Sequence, residues 1–313
     1  MAKYIIRRLL LTVVVVLGVV LIVFTILSFT PGDPGRLILG QKATQEAVDQ
    51  LNHELGVDQP FLVQLWNYLK NIILHFDFGK SYTNRNPVID EIASCFPVTL
   101  KLALFSALFS SIVGVVLGVI SAVKQYSALD NVCSVSAMFF ASAPDFWVGL
   151  MLLAIFALKL HWLPSFGIKS GLGYILPVAT LTLFCSAGIL RMTRASMLET
   201  VRQEYIRTAK AKGASNKRVI WKHALKNALL PVLTALGMNF GSLFGGAVTT
   251  EMVFSLPGVG SLLISAVKSK DIPLAMGSTI FLAVIFSLIM LAVDIIQAFV
   301  DPRVKARYTG GKG

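Results

Sequence analysis

LLLTVVVVLGVVLIVFTILSFT, residues Leu9–Thr30, is a run of 22 residues without a charged side chain. A helix needs roughly 20 apolar residues to cross the hydrocarbon core of a bilayer, so this run reads as a membrane span. A cleaved signal peptide has an apolar core of only about 7–15 residues and a small-x-small cleavage site. Here Pro31-Gly32-Asp33-Pro34 follows instead, and a retained anchor is the better reading. Five more spans follow. Leu102–Val123 is a second uncharged run. Asn131–Leu158 is apolar except for Asp145 beside Pro144, and reads as a span with a break. Leu172–Leu190, Ala228–Thr250 and Leu274–Val293 complete the set, the last staying apolar past Asp294 to Val300. Pro144, Pro164 and Pro177 interrupt the third and fourth spans, because proline removes a helical donor and clashes with the preceding turn. The fold class is all-α, a polytopic membrane protein with six transmembrane helices.

Composition agrees. Of 313 residues, 55% are hydrophobic and 14% charged, against about 25% charged in soluble domains. Disorder is excluded, and an ordinary two-domain soluble enzyme is disfavoured. The net charge of +12 is localised. Lys3, Arg7 and Arg8 precede the first span. Arg191–Lys226 carries ten Lys/Arg against two Glu, and Arg303, Lys305, Arg307 and Lys312 follow the last span. With six spans all these fall on one side, which the positive-inside bias makes cytoplasmic. Both termini are then cytoplasmic. Pro31–Pro97 lies opposite, with five basic and eight acidic residues.

The domains read as follows: 1–30, the cytoplasmic N-terminus and first span; 31–97, an extracytoplasmic helical cap; 98–300, a five-helix core with a cytoplasmic loop at 191–231; and 301–313, a cytoplasmic tail. Within the cap, Thr44–Leu55 places Val48, Leu51 and Leu55 on one helical face, with Gly56 as a stop. Pro60–His75 aligns Phe61, Leu65, Leu69 and Ile72, and Asn86-Pro87 starts a third short helix leading into Leu102. The cap either covers helix ends or helps receive a partner or substrate.

Two kinds of residue stand out inside the spans. Gly237, Gly241 and Gly245 form a doubled G-x-x-x-G, and Gly114 and Gly118 repeat the spacing once; both point to close helix packing, within this chain or with a second subunit. Ionisable groups in lipid are costly and often functional. Asp145, Glu251 and Asp294 either pair locally at the membrane interface or line a substrate path or gate.

Catalytic chemistry has no foothold. There is no H-E-x-x-H, no G-x-S-x-G and no Cys/His cluster of metal spacing. Cys95, Cys133 and Cys185 read as small buried hydrophobes. Gly79-Lys80-Ser81 mimics a P-loop tail, but Leu74 stands where the cradle glycine belongs. An intramembrane enzyme is therefore a remote alternative to a transporter, and active transport needs an energy source on another chain.

The basic segment is the most specific stretch. Glu204-Tyr-Ile-Arg-Thr-Ala-Lys-Ala-Lys-Gly213 reads as a short helix stopped by Gly213. Ala214-Ser215-Asn216 is a turn, and a second helix starts near Lys217 and leads through Asn227 and Pro231 into the membrane. Such a helix–turn–helix could bind anionic lipid, nucleic acid or another protein. Small Ala209, Ala211 and Gly213 among the charges favour protein docking.

Glu204–Gly213, with Ile220 and Leu230-Pro231, resembles the EAA loop of permease subunits of bacterial ATP-binding-cassette importers. The chain is similar over nearly its whole length to the first permease of the dipeptide/oligopeptide/nickel group. The resemblance includes Tyr4-Ile-Ile-Arg-Arg8, Thr30-Pro-Gly-Asp-Pro34, Leu55-Gly-Val-Asp-Gln-Pro60 and Asp77-Phe-Gly79. It continues through Arg191-x-x-Arg-Ala-Ser-Met197, Glu251-x-x-Phe-Ser-Leu-Pro-Gly-Val-Gly260 and Asp301-Pro-Arg303. Thr208 departs from the pattern at the position before the Ala-x-x-x-Gly core. The resemblance implies a cytoplasmic-membrane permease paired with a homologous second permease. It also implies two ATPase subunits, which bind the ATP and Mg, and an extracytoplasmic substrate-binding protein. Glu204, Tyr205, Arg207, Thr208, Ala209, Lys210, Ala211, Lys212 and Gly213 would dock in an ATPase cleft. The chain itself would bind no cofactor, metal or nucleic acid. Cargo would be di- or oligopeptides, with nickel, a metal chelate or glutathione as alternatives.

Overall fold

In the computed structural model, residues 2–29, 32–40, 42–168 and 171–300 are described; the expected tail at 301–313 and the Asp301-Pro-Arg303 motif lie outside them. The chain forms thirteen helices among the described residues: α1 Ala2–Ser28, α2 Pro34–Leu39, α3 Gln45–Glu54, α4 Phe61–His75, α5 Val88–Val123, α6 Ala128–Ser142, α7 Asp145–Leu152, α8 Ile175–Val201, α9 Glu204–Ala211, α10 Asn216–Arg218, α11 Leu225–Val253, α12 Val259–Lys268 and α13 Ile272–Val300. A π-helical stretch, Leu153–Lys159, prolongs α7, and a second, Val219–Ala224, joins α10 to α11. Five helical segments are long and apolar enough to cross a membrane: Leu9–Ser28, Val88–Val123, Gly171–Val201, Asn216–Gly245 and Ile272–Ile296. Ala128–Ser142 and Asp145–Lys159 are together long and apolar enough for the expected sixth crossing, but are bent by 107° at the break between them, as a broken span or a re-entrant loop would be.

That break follows from Pro144. The residue before a proline is driven out of the α region, and Ala143 is extended at φ −74°, ψ 135°. Pro177, expected to interrupt the fourth span, instead occupies the first turn of α8, where its missing N–H leaves no helical bond unmade. The helix then runs on to Val201, so Arg191 and Arg194 belong to the span rather than to the loop. The short helix expected from Asn86-Pro87 is likewise no separate element. Pro87 opens α5, 36 residues long with Pro97 inside it. The sequence reading also missed α12.

The chain divides into two compact units, the described parts of 1–7, 100–256 and 286–313, and those of 8–99 and 257–285. The second is wider than the expected cap because the apolar face of α4 needs partners. Phe61, Leu65, Leu69 and Ile72 pack on Val20 and Phe24 of α1 and on Met276 and Ile280 of α13. Val48 of α3 is fully buried, whereas Leu55 is exposed. Asp271 caps α13. It is fully buried and accepts from the Ser81 hydroxyl, from the Thr83 N–H at 3.1 Å and from the Leu274 N–H at 3.3 Å.

In the first unit α11 packs along α8, and α6 and α7 also lie against α8. Large apolar side chains on the spans remain uncovered, among them Leu108, Val132, Val135 and Met238. That pattern suits hydrocarbon as the surrounding solvent.

Asp33 shows how the cap closes locally. Its carboxylate accepts from Arg36 N–H at 3.2 Å, capping α2, and from Asn52 Nδ2 at 2.8 Å. Asn52 Oδ1 in turn accepts from Gly35 N–H at 2.8 Å. The Asn52 bond, aided by the Arg36 donors, holds the Asp33 carboxyl below its ordinary value, against a smaller opposing effect of burial. A lowered folded pKa stabilises above the unfolded pKa and is lost as pH falls through the folded one. Asp33→Ala is expected to destabilise the cap by about 1 kcal/mol, measured as faster hydrogen exchange at Gly35 and Arg36. The difference from the parent should shrink as the pH is lowered through the carboxylate range.

Candidate functional site

Helix α9 is short and mostly polar, so its position depends on how it is seated. Gln203 before it is extended, Glu204 lies in its first turn and Lys210 in its last, the charge order that suits a helix dipole. Beyond the cap at Lys212, Gly213 has φ +81°, which glycine adopts without the steric cost a side chain adds. Its N–H donates to Lys210 O at 2.9 Å, and Ala214 N–H donates to Ala209 O at 3.2 Å. Ser215 is extended and caps the next helix, its Oγ accepting from Arg218 N–H at 3.4 Å. From Asn216 the backbone is helical to Val253.

The anchor is Ile206, 1% exposed. It packs in a cluster with Val119 and Ala122 of α5, Met197 of α8, and Val219, Ala224 and Ala228. Ile206 was missed in the sequence reading, although one isoleucine in a polar octet was a usable signal. Tyr205 Oη accepts from Asn227 Nδ2 at 3.0 Å. Glu204, Tyr205, Arg207, Thr208, Lys210, Ala211, Lys212 and Gly213 are exposed. Ala209 is not part of that outward face; it is half-buried against the Ile206 cluster. Its small size therefore serves the seat of the helix.

The glycine spacings resolve into two contacts and one open position. A Cβ on Gly114 would lie 2.6 Å from Ile189 Cβ, and one on Gly118 would lie 2.6 Å from Thr193 Cβ and 2.8 Å from Leu190 O, so α5 meets α8 at these glycines. On α11, a Cβ on Gly237 would collide with Val293 of α13, and one on Gly241 would lie 3.0 Å from Met290 Sδ. Gly245 is exposed and a Cβ there would meet nothing within 4 Å. Within this chain the doubled motif is thus a single close contact with α13.

The three singled-out carboxylates do not form one cluster. Asp145 opens α7, accepting from Phe146 N–H at 2.7 Å, and its other oxygen accepts from Thr249 Oγ1 of α11 at 2.7 Å. Glu251 is fully buried on α11. Asp294 is half-buried on α13, next to Val293, which packs against Gly237. Gly237 and Glu251 are fourteen residues apart on one helix, about 21 Å at 1.5 Å per residue. No group of three His, Cys, Asp or Glu among the described residues could hold a metal ion.

A fourth carboxylate, Asp130, escaped the sequence reading because it lies at the edge of a span. It is 2% exposed and meets Arg194 of α8 through two parallel bonds, Nε to Oδ1 at 2.7 Å and Nη2 to Oδ2 at 2.8 Å.

Comparison with known proteins fits this architecture. Residues 114–306 match the family of binding-protein-dependent transport system inner membrane components, and residues 1–103 match the N-terminal part of such membrane components. The chain belongs to this family, and is a multi-pass inner-membrane transport permease rather than a catalytic protein. It is 39% identical to the glutathione transport system permease protein GsiC of Escherichia coli K12, over 97% of this chain and 99% of the relative. It is also 39% identical to the dipeptide transport system permease protein DppB of Alkalihalophilus pseudofirmus, over 97% and 100%. In fold it is similar to the MetNI methionine ABC transporter in inward-facing conformations. That match has TM-score 0.56 and 20% identity, and covers 67% of this chain and 96% of the other.

Two contrasts test the geometry. Ile206→Ala is expected to destabilise by about 3 kcal/mol, read by thermal melting, while Lys210→Ala stays within about 0.5 kcal/mol of the parent. Gly241→Leu should cost about 1–3 kcal/mol by overpacking against Met290 and Phe286. Gly245→Leu should melt like the parent.

Proposed function

We propose that the chain is the permease subunit of an ATP-driven, binding-protein-dependent importer of di- and oligopeptides. It works beside a homologous second permease, two ATPase subunits that hydrolyse the ATP, and an extracytoplasmic substrate-binding protein. The observation that carries the reading is α9. It is an exposed polar helix, fixed to three spans by Ile206 and ended by a left-handed glycine. A helix that presents charges outward while its one large apolar side chain is locked inward can pass a partner's movement to the spans. ATP-driven closure of the partner then biases the permease between inward-open and outward-open states.

Orientation follows from charge. The basic stretch 202–226 and both chain ends lie on the cytoplasmic side, and the cap on the other. The cap holds a cavity of about 630 Å³ whose lining includes Gln59, Gln64, Asn67, Tyr68, Asn71 and Tyr82. Such polar lining favours a receiving role for the cap over mere coverage of helix ends.

Peptide cargo is supported by the name of one relative and by the chemistry of the other's, glutathione being a tripeptide. Glutathione is the second reading, on that relative's identity over nearly the full chain. The deciding experiment is ATP-dependent uptake by the complete complex in proteoliposomes, with radiolabelled dipeptide, oligopeptide and glutathione in parallel. Uptake of dipeptide above glutathione is expected, and the reverse order replaces the cargo. In the same assay Gly213→Trp should assemble and hydrolyse ATP but import about tenfold less. Uptake equal to the parent overturns the coupling role of α9.

A further inference from the structure

We propose that Asp130 and Arg194 are positioning residues that make the cytoplasmic ends of α5, α6 and α8 one rigid platform under α9. The inference rests on the reading of α9 as the contact with an ATPase.

Asp130 receives four donors from separate parts of the chain. Two come from Arg194 on α8, as described above. A third is the Ser121 hydroxyl on α5. The fourth is Tyr126 N–H at 3.0 Å, in the turn between α5 and α6. Tyr126 has φ +63°, a conformation unfavourable for a side-chain-bearing residue, and this bond helps hold it. Asp130's own N–H donates to Ser127 Oγ at 3.3 Å. One carboxylate therefore ties the α5–α6 turn, the end of α5 and the last third of α8.

The pair lies beside the seat of α9. Ser121 adjoins Ala122, and Arg194 is one turn before Met197 on α8. Ala122 and Met197 both belong to the Ile206 cluster. On the other flank Gly118 lets α5 approach Thr193 and Leu190 closely. Cys133 and Ala137 of α6 pack on Ala187 and Leu190 of α8. The close backbone approach and the two directional bonds together fix the register of three helices.

A buried ion pair contributes little net stability over apolar residues of the same size, because desolvation cancels the attraction; removing one partner is strongly destabilising. What it supplies here is direction. A paired guanidinium and carboxylate tolerate neither rotation nor sliding. A displacement of Ile206 is then passed to α5, α6 and α8 as a block rather than absorbed by one helix.

The experiment follows from that contrast. The double variant Asp130→Leu/Arg194→Met is built into the complete complex, reconstituted with its ATPases and binding protein. The expected result is assembly, melting lowered by no more than about a few degrees because Ser121 and Tyr126 lose an acceptor, and ATP hydrolysis within about twofold of the parent, but about tenfold less peptide imported per ATP. A parental import-to-ATP ratio overturns the proposal, because packing alone would then suffice. Should the double variant not assemble, Arg194→Lys decides, since lysine keeps the charge and loses the parallel bonds. A lowered ratio supports the proposal and a parental one overturns it. If the parental complex imports no peptide, the cargo reading alone has failed. The platform is then read from hydrogen exchange across 204–213, which should be faster in the variant; unchanged protection there overturns the proposal.

Discussion

A backbone N–H in hydrocarbon has no water to turn to, and the rest of this structure depends on that constraint. It explains why the spans are helices, and why departures from helix come with a substitute donor or acceptor. At the 107° break, Phe146 N–H is freed and the Asp145 carboxylate takes it. The same carboxylate reaches Thr249 of α11, so the group that repairs the break also anchors it to a neighbouring span. The two π-helical stretches, at Leu153–Lys159 and Val219–Ala224, keep the chain helical with each N–H bonding one residue further back than in an α-helix.

Where the chain leaves the membrane the constraint relaxes, and a different one replaces it. Helix α9 has eight residues, too few to be stable by itself. Its polar face is uncommitted, so its order comes from Ile206 and from the capping at Gly213 and Ser215. The division is clear: Ile206 and Ala209, which hold the helix, are turned inward, and of the exposed side chains Tyr205 adds a bond to Asn227. Substitution on the outward face can therefore alter a contact without disturbing the fold, which lets such a helix serve as an exchangeable contact surface.

Much of this was legible in the sequence because lipid makes hydropathy a strong signal. The first span, the break at Pro144, the α3 and α4 boundaries and the stop at Gly213 follow from uncharged runs, proline sterics and glycine conformation. The errors share a cause. Asn86-Pro87 was read as starting a short helix separate from the second span, with the cap ending at Pro97, yet one helix, α5, runs through Pro97, because packing of Val88 and Ile92 on Val259, Ala266 and Leu274 holds the segment helical. The end of α8 was placed eleven residues early because Arg191 and Arg194 look like a span's edge. Arg194 is tolerated further in because Asp130, 64 residues away, neutralises it. Ala209 was assigned to the wrong face because size alone does not say where a residue points. In each case the deciding partner is distant in sequence, and local periodicity carries no record of it.

Asp130 and Asp145 show how two carboxylates in one broken span come to do different things. Asp130 stands in the first turn of α6, and Asp145 opens α7 across the break at its far end. Asp130 is nearly sealed and has four donors, including a guanidinium. Asp145 is half-exposed, and the donors it takes from Phe146 and Thr249, an amide and a hydroxyl, are neutral. A carboxylate with a full complement of charged and neutral donors is locked, since any movement breaks bonds that no water can replace. One held by neutral donors at a helix break can exchange them at much smaller cost. The chemistry therefore assigns rigidity to the Asp130 end of the span and leaves the Asp145 end as the place where rearrangement is cheapest.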